Sequence, residues 1–182
     1  MGADRLSQFR PVACCTTIYK GNQVGFIKGR LLCENVLLAS KLAENFQADG
    51  ETTRGCLQVD ISKAYDNVNW KFLINILKSF DLPPIFINWI WICISTPSYS
   101  IAFNGELIVF FQGKKGIRQG DPMSSHHFFL VMDILAKLLD SGVVQGRFSL
   151  HLKCLVPMIT HLSFADDVLI FCDGSVISID GI

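Results

Sequence analysis

Phe164-Ala165-Asp166-Asp167 is the stretch that decides the fold, because two adjacent carboxylates lie there between the apolar runs 162–164 and 168–171. A strand–turn–strand hairpin would carry both aspartates at its bend and bury both of its arms. Like charges raise each other's pKa and burial adds a further cost, so ordinary packing does not favour such a pair. A divalent cation removes this difficulty, and the pattern therefore indicates a metal site.

A third carboxylate lies far upstream, in the apolar run Leu57-Gln58-Val59-Asp60-Ile61. Asp60 and Asp166 are 106 residues apart, so only folding can bring them together. Three aspartates at neighbouring strand ends would form an all-oxygen site of the kind that Mg²⁺ prefers. Two Mg²⁺ ions held there would suit an in-line displacement at phosphorus. Asp60 by itself could equally well cap the residues that follow it.

The 182-residue chain has a formal net charge of zero, yet its two ends carry opposite charges. Residues 1–30 contain five Lys or Arg and one Asp, a net charge of +4. Residues 160–182 contain four Asp and no Lys or Arg, a net charge of −4. This asymmetry fits phosphate binding in one place and metal binding in another, although scattered surface charge explains it equally well.

Seven cysteines without any C-x-x-C pair predict reduced thiols in an intracellular protein, nuclear or cytoplasmic, with no zinc site. The apolar run 85–94 is about half as long as a bilayer span, so we expect a short buried helix there and no membrane.

The predicted elements follow the order helix, strand, helix, helix, hairpin, helix, hairpin. This order is typical of an α+β fold with helices on one face of a mostly antiparallel sheet. Asn104-Gly105 predicts the turn of the first hairpin, and Asp121-Pro122 predicts the start of a helix. The predicted helices cover 31–46, 67–80, 85–94 and 122–139, and the predicted strands cover 56–61 (a central strand), 99–103, 107–111 and both arms of the 162–171 hairpin.

Three further sets of residues are candidates for nucleotide binding. The loop 113–120 is rich in glycine and lysine, and its backbone could approach a base pair closely, although a solvated turn is an equal alternative. Tyr65 could form the floor of a nucleotide pocket, although core packing is the commoner role of such a ring. Arg10 and Lys20 could hold triphosphate oxygens, although alone they would be ordinary surface charges.

Five motifs in chain order resemble those of reverse transcriptases of the non-LTR (LINE-type) retrotransposons, with a plant-like character. They are FRPV (9–12) with YK (19–20), NQVGFIKGR (22–30), VDISKAYD (59–66), GIRQGDPMS (116–124) and FADD (164–167). The resemblance covers about residues 9–173 and is specific because all five motifs occur together.

The resemblance implies a right-hand polymerase fold, with fingers over about residues 1–55 and palm over 56–182. The thumb is expected to be absent, which would make the chain a truncated reverse transcriptase fragment. The implied activity is RNA-directed DNA polymerisation by a two-metal mechanism with Mg²⁺, or Mn²⁺ as an alternative ion. The implied partners are an RNA template, a DNA primer and deoxynucleoside triphosphates.

By the same resemblance, Asp60 and Asp166 bind the metal ions, Asp167 completes the catalytic site, and the Ile61 carbonyl adds a ligand. The nucleotide-binding roles fall on Tyr65 as the steric gate for deoxynucleotides, on Gln119 and Gly120 beside the nascent base pair, and on Arg10 and Lys20 at the incoming phosphates.

His126 and His127 depart from the family pattern, and we expect them on the first turn of a helix rather than on a metal. An inactive remnant that at most binds nucleic acid stays open as an alternative. A different phosphoryl-transfer enzyme, such as a nucleotidyl cyclase, is disfavoured by the Arg118-Gln119-Gly120 loop and by the Asp60–Tyr65 spacing.

Overall fold

The computed structural model of the protein describes residues 32–44 and 53–182, with side chains from residue 35 onward. Helices and antiparallel sheets occur together, which confirms a mixed helix-and-sheet architecture. The described residues form two compact units: those up to Ser62 together with Met132–Ile182, and Lys63–Val131. The motifs at 9–12, 19–20 and 22–30, with Arg10 and Lys20, lie outside the described residues.

The elements follow the predicted order, with several short additions. The helices are α1 (Leu32–Ala43), α2 (Ala64–Asn67), α3 (Trp70–Ser79), α4 (Pro84–Ser95), α5 (Pro122–Val144), a 3₁₀ turn (Leu152–Cys154) and α6 (Val176–Gly181). The strands are β1 (Gly55–Asp60), β2 (Ser98–Phe103), β3 (Glu106–Gln112), β4 (His161–Phe164) and β5 (Asp167–Cys172). Within the described ranges, no helix combines the length and the apolar character needed to cross a bilayer.

A three-stranded antiparallel sheet with the order β1–β5–β4 organises the first unit. β5 lies in the centre, and its residues Val168, Ile170, Phe171 and Cys172 are buried. The prediction of β1 as a central strand is wrong, because β1 pairs only with β5 in the described sheet. Its side chains are half-buried or exposed, as suits an edge strand that carries Gln58 and Asp60.

The second unit contains helices α2 to α4 and a separate hairpin of β2 and β3. Asn69 caps α3 by accepting a hydrogen bond from the Phe72 N–H at 3.1 Å. α3 buries Leu73, Ile76 and Leu77, whereas Phe80 at its C-terminal end is half-buried. The prediction of α4 as a buried helix is wrong in part: Ile87 and Ile90 are buried, whereas Ile85 is 59 % exposed. The helix is apolar all round, but it lies at the surface and buries one stripe only.

Two of the predicted local signals have the expected backbone geometry. Asn104 and Gly105 have φ values of 50° and 86°, the positive values that a tight β-hairpin turn requires. Asp121 accepts a hydrogen bond from the Met123 N–H at 2.9 Å and caps α5. α5 buries Phe128, Met132 and Leu139, whereas Leu138 is 63 % exposed. His126 and His127 lie in the second turn of α5 rather than the first.

Candidate active site

The end of β1 and the start of β5 bring two of the predicted metal ligands side by side. Asp60 is the last residue of β1 and lies opposite Asp167, the first residue of β5, in the antiparallel register. Cross-strand partners have their Cβ atoms about 4.5–5.5 Å apart. The Ile61 N–H donates to the Asp166 carbonyl at 3.2 Å, so the chain leaving β1 stays attached to the hairpin turn. Folding therefore joins the two sequence-distant acidic segments.

The turn that carries Asp166 has a constrained backbone. Ala165 has a φ of 54°, in the left-handed region that residues with a Cβ rarely adopt. Both arms of the hairpin are anchored: Leu162 and Ser163 are buried in β4, and Val168 is buried in β5. The buried residues on both sides of the turn hold its backbone in this conformation.

The three aspartates are all exposed, and their carboxylate oxygens are the hard donors that a divalent cation prefers. Within the described residues, no group of three or more His, Cys, Asp or Glu side chains is close enough together to hold a metal ion. Asp166 belongs to the turn and Asp167 to the start of β5, so the two carboxylates leave different parts of the backbone. The donor chemistry thus fits Mg²⁺, with two carboxylates adjacent and the third on the neighbouring turn residue.

A hydrogen-bonded network that could not be predicted from the sequence joins the start of this hairpin to α5 in the same unit. The Thr160 hydroxyl donates to the Asp140 carboxylate at 2.5 Å, and Nδ1 of His161 lies 2.7 Å from the Thr160 oxygen. Since the threonine proton goes to Asp140, the imidazole donates from Nδ1. Burial lowers the pKa of His161, while Asp140 opposes the shift. The network ties the first residue of β4 to α5.

In the second unit, Tyr65 is held by a ring stack and by a hydrogen bond of its hydroxyl group. The ring stacks on Phe128 with centroids 4.8 Å apart and planes 18° apart. The Tyr65 hydroxyl donates to Oγ of Ser125 at 3.4 Å. Tyr65 therefore packs against its neighbours, as the alternative interpretation of this residue expected, and its half-buried ring has a fixed orientation.

The loop 113–120, called here the glycine loop, is bound to the segment that carries Tyr65. The Gly116 N–H donates to the Val68 carbonyl at 2.8 Å, and the Ile117 N–H donates to the Tyr65 carbonyl at 2.9 Å. The indole N–H of Trp70 donates to the Gly116 carbonyl at 2.5 Å. Two segments about 50 residues apart are thus joined through their backbones, an arrangement that side-chain identities alone do not reveal.

Gln119 and Gly120 are exposed at the end of the glycine loop. Gly120 has a φ of 86°, and a Cβ added there would meet no atom within 4 Å, so its surface is open. Two of the loop's cations are engaged locally: Lys115 donates to Oδ1 of Asn67 at 2.6 Å, and Arg118 pairs with Asp121 at 3.4 Å. The end of the loop at Gln119 and Gly120 is therefore open to a ligand.

A small cavity of about 80 Å³ lies beside the glycine loop, within the second unit. Its lining includes Gly116, Ile117, Ser124 and His127. Burial lowers the pKa of His127 to about 4, with Asp121 opposing the shift, so this imidazole is neutral at neutral pH. The neutral imidazole of His127 therefore forms part of the wall of the cavity.

The chain matches the family model described as "Reverse transcriptase (RNA-dependent DNA polymerase)" over residues 3–179. It is 27 % identical over 117 residues to a Retrovirus-related Pol polyprotein from the type-2 retrotransposable element R2DM of Drosophila melanogaster, covering 63 % of this chain and 10 % of that protein. It is 25 % identical over 144 residues to the Transposon TX1 uncharacterized 149 kDa protein of Xenopus laevis, covering 79 % of this chain and 11 % of that protein.

A third relative is the Retrovirus-related Pol polyprotein from the type-1 retrotransposable element R2 of Popillia japonica. The identity is 27 % over 124 residues, covering 68 % of this chain and 20 % of that protein. The chain therefore spans between a tenth and a fifth of the length of these three relatives.

Proposed function

Since the chain belongs to the reverse transcriptase (RNA-dependent DNA polymerase) family, we propose that it carries out RNA-directed DNA synthesis as part of a non-LTR retrotransposon polymerase. Members of this family act on a nucleic-acid template with nucleotide substrates and depend in general on a divalent metal. The proposed substrates of this chain are an RNA template, a DNA primer and deoxynucleoside triphosphates. The proposed location is intracellular, where such templates occur.

The observation that carries the proposal is the register that sets Asp60 opposite Asp167, together with the Ile61–Asp166 hydrogen bond. We assign Asp60, Asp166 and Asp167, with the Ile61 carbonyl, as the residues that would hold two Mg²⁺ ions, or Mn²⁺ in their place. When bound, these ions supply charge neutralisation for an in-line displacement at phosphorus. The aspartates would reach the ions from a sheet whose central strand is buried, so the backbone that carries them is held in place.

Nucleotide selection is assigned to the second unit. The Tyr65 ring, fixed by its stack on Phe128, is proposed as the steric gate that excludes a ribose 2′-hydroxyl. Gln119 and Gly120 are proposed to lie against the nascent base pair, because the open surface of Gly120 permits close approach. Arg10 and Lys20 keep their proposed role at the triphosphate, by resemblance alone. In the same scheme residues 56–182 are mostly palm and about 1–55 are fingers.

One observation favours a second function. Within the described part of the chain, no three potential ligand side chains lie close enough together to bind a metal ion. This arrangement is the one expected of an inactive remnant. Such a remnant would bind nucleic acid at most, without nucleotide transfer.

Primer extension distinguishes the two functions. The purified chain is incubated with poly(A), a 5′-labelled oligo(dT) primer, dTTP and Mg²⁺. We expect extension by the wild type, a loss of at least about 100-fold in Asp166→Asn, and unchanged extension in the control Asp180→Asn, which removes an exposed carboxylate from α6. Equal extension by wild type and Asp166→Asn would refute the assignment of the site. If neither extends, the remnant function is favoured, and titration calorimetry with Mg²⁺ and dTTP then measures whether the site binds at all.

A further inference from the structure

The hydrogen-bonded network of Asp140, Thr160 and His161, called here the β4 anchor, lies where α5 meets the start of β4 in the first unit. Thr160 and His161 are buried, whereas the Asp140 side chain is 47 % exposed. Nε2 of His161 is buried and has no hydrogen-bond partner among the described residues, so the bond at Nδ1 orients the ring. These three side chains have no part in the proposed metal or nucleotide binding.

Apolar packing alone specifies the position of β4 only weakly. Among the described strands, β4 pairs with β5 only, so it is an edge strand. Leu162 is its one buried apolar residue, while its other buried residues, His161 and Ser163, are polar. The position of β4 along β5 therefore depends on polar contacts.

Two side-chain hydrogen bonds tie β4 and the residue before it to helices of the same unit. The Thr160 hydroxyl donates to Asp140 of α5 at 2.5 Å, and Nδ2 of Asn35 in α1 donates to the Ser163 carbonyl at 3.5 Å. The first bond is the stronger, because it is short and its acceptor is charged. A buried network of this kind contributes modest net stability, but only one arrangement satisfies its polar groups, so it holds the strand in one position.

The far end of β4 adjoins the acidic turn. Phe164 pairs there with Asp167, which in turn lies opposite Asp60. The anchor is separated from this pairing by the length of one short strand, about 10 Å at the usual rise per residue. Ala165 keeps its φ of 54° only while both arms of the hairpin are held, because a shift of β4 along β5 would change the length of the turn and release the strain.

We propose that Asp140, Thr160 and His161 are positioning residues of the acidic site, which set β4 along β5 and thereby hold Asp166 and Asp167 where they can bind the metal ions. They touch neither metal nor substrate in this scheme. The inference rests on the proposed function, because it concerns the carboxylates assigned there. A displacement of about 1 Å in an active site can lower a rate by about 100-fold, so loss of the anchor should be visible in catalysis.

Primer extension by Thr160 variants, with dTTP and Mg²⁺ each varied, tests the proposal. Thr160→Val keeps the shape but removes the hydroxyl, and we expect kcat to fall at least about tenfold and the Mg²⁺ concentration for half-maximal rate to rise at least about threefold. The KM for dTTP should change less than about twofold, because nucleotide binding is assigned to other residues. Thr160→Ser retains the hydroxyl and should stay close to the wild type in all three values.

Ser178→Ala is the matched control for loss of a buried hydroxyl. Ser178 lies in the same unit, is buried, and accepts a hydrogen bond from the Ser149 N–H at 3.0 Å, but it does not contact β4 through this bond. A merely structural loss lowers kcat in proportion to the folded fraction and leaves the Mg²⁺ requirement unchanged. We expect at most that behaviour from Ser178→Ala, and the same behaviour in Thr160→Val would overturn the proposal.

Amide hydrogen exchange of the hairpin is a readout that needs neither activity nor metal. Thr160→Val should speed exchange over residues 162–168 at least about tenfold relative to the wild type, whereas Ser178→Ala should not. Exchange at the wild-type rate in Thr160→Val would refute the anchoring role. If the wild type does not extend primers, the polymerase function fails, and the exchange data still decide whether the anchor holds the hairpin.

Asp140 supplies a second pair of variants if circular dichroism shows that Thr160→Val does not fold. Because Asp140 is partly exposed on α5, Asp140→Ala should fold, and it should speed hairpin exchange and raise the Mg²⁺ requirement severalfold. Asp140→Asn keeps an oxygen that accepts from Thr160 and should have a smaller effect. Equal effects of the two Asp140 variants would contradict the role of this hydrogen bond.

Discussion

Replacing Gly116 by alanine should destabilise the protein more than replacing Gly120, the other glycine of the loop with a positive φ. Gly116 has a φ of 88°, and a Cβ there would lie 2.8 Å from the carbonyl oxygen and 3.0 Å from Cα of Asp66. The left-handed backbone costs a residue with a Cβ about 1–2 kcal/mol. The contact with Asp66 adds to this cost because both of the close atoms belong to the backbone and cannot rotate away.

The added methyl group also threatens the hydrogen bonds that hold the loop. The Gly116 N–H donates to Val68, and the Gly116 carbonyl accepts from the Trp70 indole. Each such bond contributes about 0.5–1.5 kcal/mol, and separating the two segments weakens both. The combined loss of stability in Gly116→Ala is therefore about 2–5 kcal/mol.

Gly120→Ala is the matched control. Gly120 has nearly the same φ, 86°, but a Cβ there meets no atom within 4 Å. Only the backbone term remains, so the expected loss is about 1–2 kcal/mol. Urea unfolding followed by tryptophan fluorescence and by circular dichroism measures both variants. Equal losses in the two variants would refute the argument, because the close approach to Asp66 would then contribute nothing.

Three further outcomes are expected. His127 is protonated near pH 6.5 in the unfolded chain but only near pH 4 in the folded chain, so the free energy of unfolding in urea should fall by up to about 3 kcal/mol as the pH drops through that window. His127→Gln should flatten this part of the plot of stability against pH, and an unchanged slope would contradict the assignment of the effect to His127. Asp121→Ala removes the cap of α5 and should cost about 1 kcal/mol in the same assay, whereas Asp121→Asn should cost much less. Tyr65→Ala should raise incorporation of UTP relative to dTTP at least tenfold in primer extension while Tyr65→Phe does not, and equal discrimination in both variants would argue against the steric gate.

Much of the fold could be predicted because its signals are local. The Asn104-Gly105 turn, the Asp121 cap and the Asp166-Asp167 hairpin each depend on a few adjacent residues whose backbone preferences are strong. Burial was predicted less well. α4 is apolar on every side, so its sequence could not indicate which stripe is buried and which residues, such as Trp91 at 39 % exposure, lie at the surface.

The two parts of the candidate site differ in how visible they are in the sequence. The acidic part consists of side chains, so Asp60, Asp166 and Asp167 could be predicted as metal ligands from their chemistry. The attachment of the glycine loop to residues 65–68 is made by backbone groups, which every residue other than proline possesses. The role of Trp70 in holding the glycine loop could not be predicted for a related reason. A tryptophan after an N-cap is expected to pack in the core, and no adjacent residue indicates that its indole N–H bonds to a carbonyl 46 residues away.

The position of Asp60 beside Asp167 follows from the same packing that stabilises the sheet. The register that pairs them also pairs Val59 with Val168 and Leu57 with Ile170. A slip of β1 by one residue would turn every one of its side chains to the other face and set Asp60 against Val168 or against the turn. Val168 and Ile170 are buried, so the slipped register would place a carboxylate beside apolar side chains without a partner. The apolar residues of β5 therefore select the arrangement in which the two carboxylates meet, and substitutions that relax this register should separate them even though no acidic residue has changed.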